Sequence, residues 1–180
     1  MAHKNERLFW IDLEMTGLNP DNDHILEIAS IVTDNNLVVL AHGPNLVIHQ
    51  SEQHLSVMNA WCLNQHTQSG LLDRVRASTT TLDDAQKQTL EFFAHWCPKD
   101  SSPLCGNTVY QDRAFLRTHM PSIDQYAHYR VIDVSSVKEL VLRWYGVTAE
   151  FKKNKNHRAL DDILESIQEL EFYRSKFFIL

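Results

Sequence analysis

Residues 8–15, Leu-Phe-Trp-Ile-Asp-Leu-Glu-Met, form an apolar, β-favouring run interrupted by two acids at a spacing of two. Such a run reads as a buried strand. Side chains two apart on a strand share a face, so Asp12 and Glu14 point one way while Ile11 and Leu13 point the other. Two like charges that close repel by about 1 kcal/mol even in water, and by more in a partly desolvated cleft. Something positive must offset them. The first lysine or arginine after this strand is Arg74, so a divalent cation with oxygen ligands is the better account. The plain alternative is a solvated strand end carrying two surface acids.

Two further segments bear on that choice. Gly106-Asn107-Thr108-Val109-Tyr110-Gln111-Asp112 follows the short apolar stretch 103–105, and Phe115 and Leu116 continue with helical spacing. Asp112 is therefore expected in the first turn of a helix, where the dipole favours a carboxylate whatever its role. Near the end, His157-Arg158-Ala159-Leu160-Asp161-Asp162 opens the most helical part of the chain. Leu160, Ile163, Leu164, Ile167 and Leu170 make one apolar stripe, the expected packing face. Asp161 and Asp162 flank that stripe symmetrically, so periodicity does not choose between them. His157 falls at or just before the first turn, where its side chain can reach over the helix end.

Asp-x-Glu on the first strand, a mid-chain Asp and a closing His-x-Ala-x-x-Asp resemble, in order, type and spacing, the DEDDh exonuclease family. The resemblance selects Asp162, five residues after His157 and three after Ala159. With the run 10–18, Gly106-Asn107, Gln111-Asp112 and the last helix, the chain is similar from about Leu8 onward to the oligoribonucleases within that family. By that resemblance Asp12, Glu14, Asp112 and Asp162 hold two divalent ions per site, Mg²⁺ or Mn²⁺, and His157 is the general base. A 5′-mononucleotide would leave from the 3′ end of a short RNA oligonucleotide or dinucleotide. The chemistry is consistent with this on its own terms. A two-metal site places its ions about 3.5–4 Å apart and needs acids at both. A histidine with a reference pKa of about 6.5 can take a proton from water near neutrality.

Substrate contacts lack a tight motif. Unpaired bases stack on aromatic or apolar side chains, and Trp61, Tyr129 and Leu18 are candidates, although residues such as Trp61 and Tyr129 more often serve a core or an interface. The resemblance implies a wedge from Leu18, stacking on Trp61, a further contact from His66, and a 5′-phosphate cap of Thr108, Arg130 and Ser135. It also implies a homodimer in which Tyr129 and Arg130 complete the partner's site. Exposed aromatics near Tyr126, Tyr129 and Trp144 would suit that interface. Thr108 stands where serine is commoner, and Tyr110 where glycine is frequent.

Charge narrows the substrate. Seventeen Lys and Arg against 23 Asp and Glu give −6, whereas proteins that track long nucleic acids carry a basic face. A short substrate with little backbone is easier to reconcile with an acidic nuclease, so no long nucleic acid is expected as a partner. The dense basic run, Lys152, Lys153, Lys155 and Arg158, lies beside His157 and reads either as a solvated loop or as a local attractor for phosphate.

The 180 residues, 43% apolar, suit a single exonuclease domain over 1–180. Cys62, Cys97 and Cys105 are odd in number and widely spaced, which implies free buried thiols. No run reaches signal-peptide or membrane-span character, so no membrane partner and a cytoplasmic setting are expected. Strands are expected at 25–33 and 37–49, joined around Asn35-Asn36 into an antiparallel meander with the first strand. Short strands follow at 104–105 and 130–133. Helices are expected near 55–59, 65–76, 82–96, 114–119 and 135–144. Strands followed by mixed α and β suit an α/β fold, and the resemblance names it as a ribonuclease H-like mixed β-sheet flanked by α-helices. A proofreading DNA exonuclease, a non-catalytic scaffold or short-RNA binding module, and a structural acidic cluster are the other readings. The first would prefer deoxynucleotides, the second has no need of His157, and the third leaves the His157 spacing unexplained.

Overall fold

The computed structural model describes residues 7–146, 151 and 158–178. Strands β1 (Arg7–Met15), β2 (Ile25–Asp34) and β3 (Val39–Val47) form an antiparallel meander. Beyond it β4 (Leu104–Gly106) pairs in parallel with β1, and β5 (Val131–Asp133) in parallel with β4, giving the order β3-β2-β1-β4-β5. The helices are α1 (Glu52–Leu55), α2 (Ala60–Gln68), α3 (Leu71–Ala77), α4 (Leu82–Trp96), α5 (Val109–His119), α6 (Pro121–Tyr126), α7 (Val134–Tyr145) and α8 (Ala159–Phe177).

The period of two along β1 sorts its side chains between two cores. Phe9, Ile11 and Leu13 face one core, packed with Phe93 of α4 and Phe115 and Leu116 of α5. Trp10 faces the other, with Val134 and Val141 of α7 and Ala159, Ile163, Ile167 and Tyr173 of α8. Asp12 and Glu14 continue the Trp10 face by the same alternation, so the strand aims both acids at the side of the sheet where α8 lies. A smaller cluster of Leu26, Leu55, Met58, Cys62, Leu71, Leu72 and Val75 seats α1, α2 and α3.

The helix expected over 65–76 is two helices. Gly70 sits between them at φ 69°, a left-handed conformation that stops a helix. Helix α5 begins at Val109, earlier than the spacing of Phe115 and Leu116 indicates, and places Asp112 in its first turn as expected. Helix α6, with Pro121 at its first turn, is too short for a period to reveal. The buried face of α8 is also rotated from the leucine stripe. Its buried residues are Ala159, Ile163, Ser166, Ile167, Glu169 and Tyr173, while Leu160, Leu164 and Leu170 are partly buried. The three cysteines are buried, and none of them is in a disulfide. Among the described residues no helix is long and apolar enough to cross a membrane.

The ring of Phe93 is fully buried, stacked on Phe9 with centroids 3.7 Å apart and met edge-on by Tyr126 at 5.1 Å. Truncating it leaves a cavity between sheet and helices. Phe93→Ala should therefore lower unfolding stability by about 3–5 kcal/mol, read from urea denaturation; a loss below about 1 kcal/mol would show that this layer closes up around the gap.

Candidate active site

The site begins at the far end of β1. Asp12, Glu14 and Asp162 each offer a carboxylate oxygen within 4.8 Å of the others, two from the strand and one from the first turn of α8. The fourth acid, Asp112, is brought to the same strand differently. It is 6% exposed, and its Oδ1 accepts the backbone N–H of Leu13 at 2.9 Å, pinning the start of α5 to β1 between the two strand acids. Asp161, its neighbour's rival in the sequence, lines a shallow surface recess with Gln68, Ser69 and Arg158. His157 and the lysines of the basic run lie outside the described residues.

Electrostatics record how crowded these acids are. Burial pushes the Glu14 carboxyl up to about 8, with the charges of Asp162, Glu27 and Asp112 adding to the shift and Arg74 only partly opposing it. Burial also raises Asp112, to about 7, against the pull of the Leu13 N–H and its own backbone N–H, with Asp133 adding to the rise. Arg74 reaches in from α3, but its Nη1 binds Glu27 Oε1 at 2.9 Å, and Glu27 is the residue facing Glu14 across the β1–β2 pair. The first cation to follow the strand in sequence is thus engaged by another acid. A cluster of three converging carboxylates with such strained protonation fits a hard divalent cation, which takes oxygen ligands and favours their ionised forms.

Beside the acids runs a cleft of about 460 Å³, lined by Glu14, Leu18, Asn59, Trp61, Cys62 and His66 among others. Leu18 and Trp61 stand exposed on its rim, 74% and 67% accessible. Leu18 projects from a turn that Asp23 organises. The Asp23 carboxylate accepts the Thr16 hydroxyl at 2.9 Å and the Asn19 N–H at 2.9 Å, and it fills the space where any side chain on Gly17 would lie. Gln111 closes the turn from α5 by donating to the Leu18 carbonyl at 2.5 Å. His66 is 5% exposed; its Nε2 donates to the Met15 carbonyl at 2.8 Å and its Nδ1 faces Glu14 Oε2 at 3.9 Å. It sits in the wall behind Glu14.

The residues expected to cap a 5′ phosphate divide into two groups. Thr108 and Ser135 meet at the β4–α5 and β5–α7 junctions, their hydroxyls 2.9 Å apart. Asp133 holds both backbones there, its Oδ1 accepting the N–H of Thr108 and of Ser135 at 2.9 Å each. Tyr129 and Arg130 form an exposed pair, the guanidinium 5.2 Å from the ring centroid, with Arg113 donating to the Tyr129 carbonyl at 2.8 Å. Tyr126 does not join them. It is partly buried on Phe93 and donates to the Cys97 carbonyl, so it is a core residue and not an exposed aromatic. Trp144 is 69% exposed, beside Leu140 and Phe178. Sequence reasoning missed Asp23 and Asp133, whose type announces only a turn and a helix cap. Gln111 stood within a matched segment without an assigned task.

Known proteins are similar to this chain along almost all of its length. The exonuclease family model RNase_T matches residues 9–170. The oligoribonuclease of Vibrio vulnificus is 55% identical over 179 residues, covering 99% of each chain, and that of Photobacterium profundum is 52% identical over the full length of both. The chain belongs to the oligoribonuclease family. Its fold is shared more widely: an exonuclease I structure superposes with a TM-score of 0.76 at 14% identity, over 96% of this chain. Escherichia coli exonuclease I in complex with a 5cy-dA13 oligonucleotide gives 0.72 at 13% identity. The chain spans about two fifths of the length of those two structures.

The raised carboxyl groups have a measurable consequence. Folded values above those of free carboxyls mean that the metal-free protein holds more protons than its unfolded chain; for Glu14 the window runs from 4.5 to about 8. Its stability should fall as pH rises through that window. A bound cation must displace those protons, so Mn²⁺ added to metal-free protein at neutral pH should release roughly one proton per chain. Glu14→Gln should abolish most of the release, and a release that the variant leaves intact would place the protons elsewhere.

Proposed function

We propose that the protein is a 3′-to-5′ exoribonuclease that hydrolyses short oligoribonucleotides, dinucleotides above all, to 5′-mononucleotides. The observation that carries this is the convergence of Asp12, Glu14 and Asp162 at one end of a cleft whose rim presents Leu18 and Trp61. The acids suit a metal-assisted phosphodiester hydrolysis, and the exposed apolar and aromatic pair suits the stacking of unpaired bases.

Asp12, Glu14, Asp112 and Asp162 would hold two divalent ions, Mg²⁺ or Mn²⁺. When bound, such ions lower the pKa of water and offset charge on the leaving oxygen. His157 takes the proton from the attacking water as its oxygen bonds to phosphorus. The bond from phosphorus to the 3′ oxygen of the preceding nucleotide breaks, and the last nucleotide departs with a 5′ phosphate. Leu18 wedges between the bases and Trp61 stacks on one of them. His66 keeps Glu14 and the end of β1 in place, an addition to its expected role as a contact. Thr108, Arg130 and Ser135 receive the 5′ phosphate, with Tyr129 and Arg130 supplied to the site of the partner in a homodimer. We further read the whole chain as one exonuclease domain acting in the cytoplasm.

A closed grip on the 5′ phosphate explains a preference for two nucleotides, since a further nucleotide would clash where the phosphate is held. The net charge of −6 supports the same conclusion, because it repels a long polyanion. Cleavage of 5′-phosphorylated RNAs of increasing length, with Mg²⁺ or Mn²⁺ and with chelator, tests the reading. Mononucleotides should appear only with metal and fastest from the dinucleotide. Arg130→Ala should lower the dinucleotide rate far more than the rate on longer oligomers; equal losses at every length would remove the cap. Preference for deoxynucleotides would favour a DNA exonuclease, and no cleavage of any substrate a binding module.

The general base has its own test. His157→Ala should retain Mn²⁺ binding and the fold while turnover drops roughly 10²- to 10⁴-fold. Unchanged turnover would take His157 out of the mechanism.

A further inference from the structure

A polar chain runs from Thr108 and Ser135 into the protein. The Ser135 hydroxyl donates to Asn107 Oδ1 at 3.1 Å. Asn107 Nδ2 donates to two groups on α8, Ser166 Oγ at 2.6 Å and Glu169 Oε2 at 3.1 Å. Ser166 Oγ in turn donates to the carbonyl of Asp162 at 2.7 Å, and the Tyr173 hydroxyl to Glu169 Oε1 at 3.0 Å. Glu169 and Tyr173 are fully buried and Ser166 is 3% exposed.

The protons in this chain have a single consistent direction. Both Glu169 oxygens accept, so the Asn107 amide must turn its NH₂ toward α8 and its oxygen toward Ser135. Ser135 then gives its only hydroxyl proton to Asn107. The 2.9 Å contact between Thr108 and Ser135 must accordingly run from Thr108 as donor. Of the two hydroxyls, Ser135 is held from within, and Thr108 is the one whose proton can turn to an incoming anion. The backbone at Thr108 points the same way. Its φ of 56° is left-handed, costly for a β-branched residue, and persists because Asp133 holds its N–H.

We propose that Asn107 is the positioning residue for 5′-phosphate recognition. It orients Ser135 so that Thr108 is the hydroxyl left to donate to a phosphate oxygen, and it ties this pair to the helix that carries Asp162. One amide thereby sets the distance between the end of the substrate that is gripped and the end that is cut. The inference rests on the 5′ phosphate being held at the junction where Thr108 and Ser135 meet.

The test compares kcat/KM for one dinucleotide bearing either a 5′ phosphate or a 5′ hydroxyl, using the metal-loaded full chain. Asn107→Leu should lower the ratio of the two values by roughly tenfold or more, the scale of a hydrogen bond to a charged group, with a smaller loss on the 5′-hydroxyl substrate. An unchanged ratio, or equal losses on both substrates, would overturn the proposal and leave Asn107 a structural residue. If Asn107→Leu does not fold, Tyr173→Phe decides. It removes only the hydroxyl that braces Glu169, and should lower the ratio about two- to threefold; a wild-type ratio would again overturn it. A wild-type enzyme indifferent to the 5′ phosphate would instead reject the cap reading on which the inference stands.

Discussion

Repulsion among carboxylates on one face of β1 governs how the rest of the molecule is arranged around its site. Asp12 and Glu14 are placed side by side by strand geometry, and Glu27 stands across from Glu14 on β2. The fold answers each charge separately. Arg74 reaches in to Glu27, and Asp112 is held by a backbone N–H of β1. What remains is Asp12, Glu14 and Asp162 drawn within 4.8 Å, with the Glu14 carboxyl well above its ordinary range. A protein built only for stability would place apolar groups there, since removing water from converging charges costs more than their packing returns. The cluster is intelligible as a socket that a cation completes.

The second demand is that α8 serve two masters. Its apolar positions Ile163 and Ile167 seal the core against Trp10, while Asp162, Ser166, Glu169 and Tyr173, spaced four, three and four apart, form a polar line along the same buried side. Because the polar line is hydrogen-bonded along its length, it holds the helix in one register on the sheet. A purely apolar face would tolerate sliding or rotation, and the carboxylate of Asp162 would move with it.

Much of this was legible in the chain, and the reasons differ from part to part. The period of two in residues 8–15 gave the strand and the shared face of its acids. The sheet meander followed from strand patterns and the Asn35-Asn36 turn. The single helix expected over 65–76 failed because periodicity cannot see a backbone that reverses at Gly70. The leucine stripe of α8 does pack on the second core, but it misses the fully buried polar positions beside it, because Glu169 is an acidic residue and hydropathy counts its burial against it. His66 gave no sign of burial, because its neighbours Gln65 and Thr67 are polar and its partner carbonyl lies 51 residues away. The choice of Asp162 over Asp161 needed the family pattern, and the structure places Asp162 with Asp12 and Glu14 and Asp161 at a surface recess. Contacts such as Asp23 with its turn, or Asp133 with two junctions, depend on distances that no local pattern encodes.

The order in which the chain is made gives the wide separation of the site residues a further meaning. Strand β1 carries Asp12 and Glu14, and α8, which follows every other described element in the chain, carries Asp162. Until α8 docks, Asp12 and Glu14 lack the converging carboxylate of Asp162, and Trp10 lacks the cover of Ala159, Ile163, Ile167 and Tyr173. The three-carboxylate cluster is therefore a property of the docked fold, and a chain cut short before α8 would keep only two of its three acids.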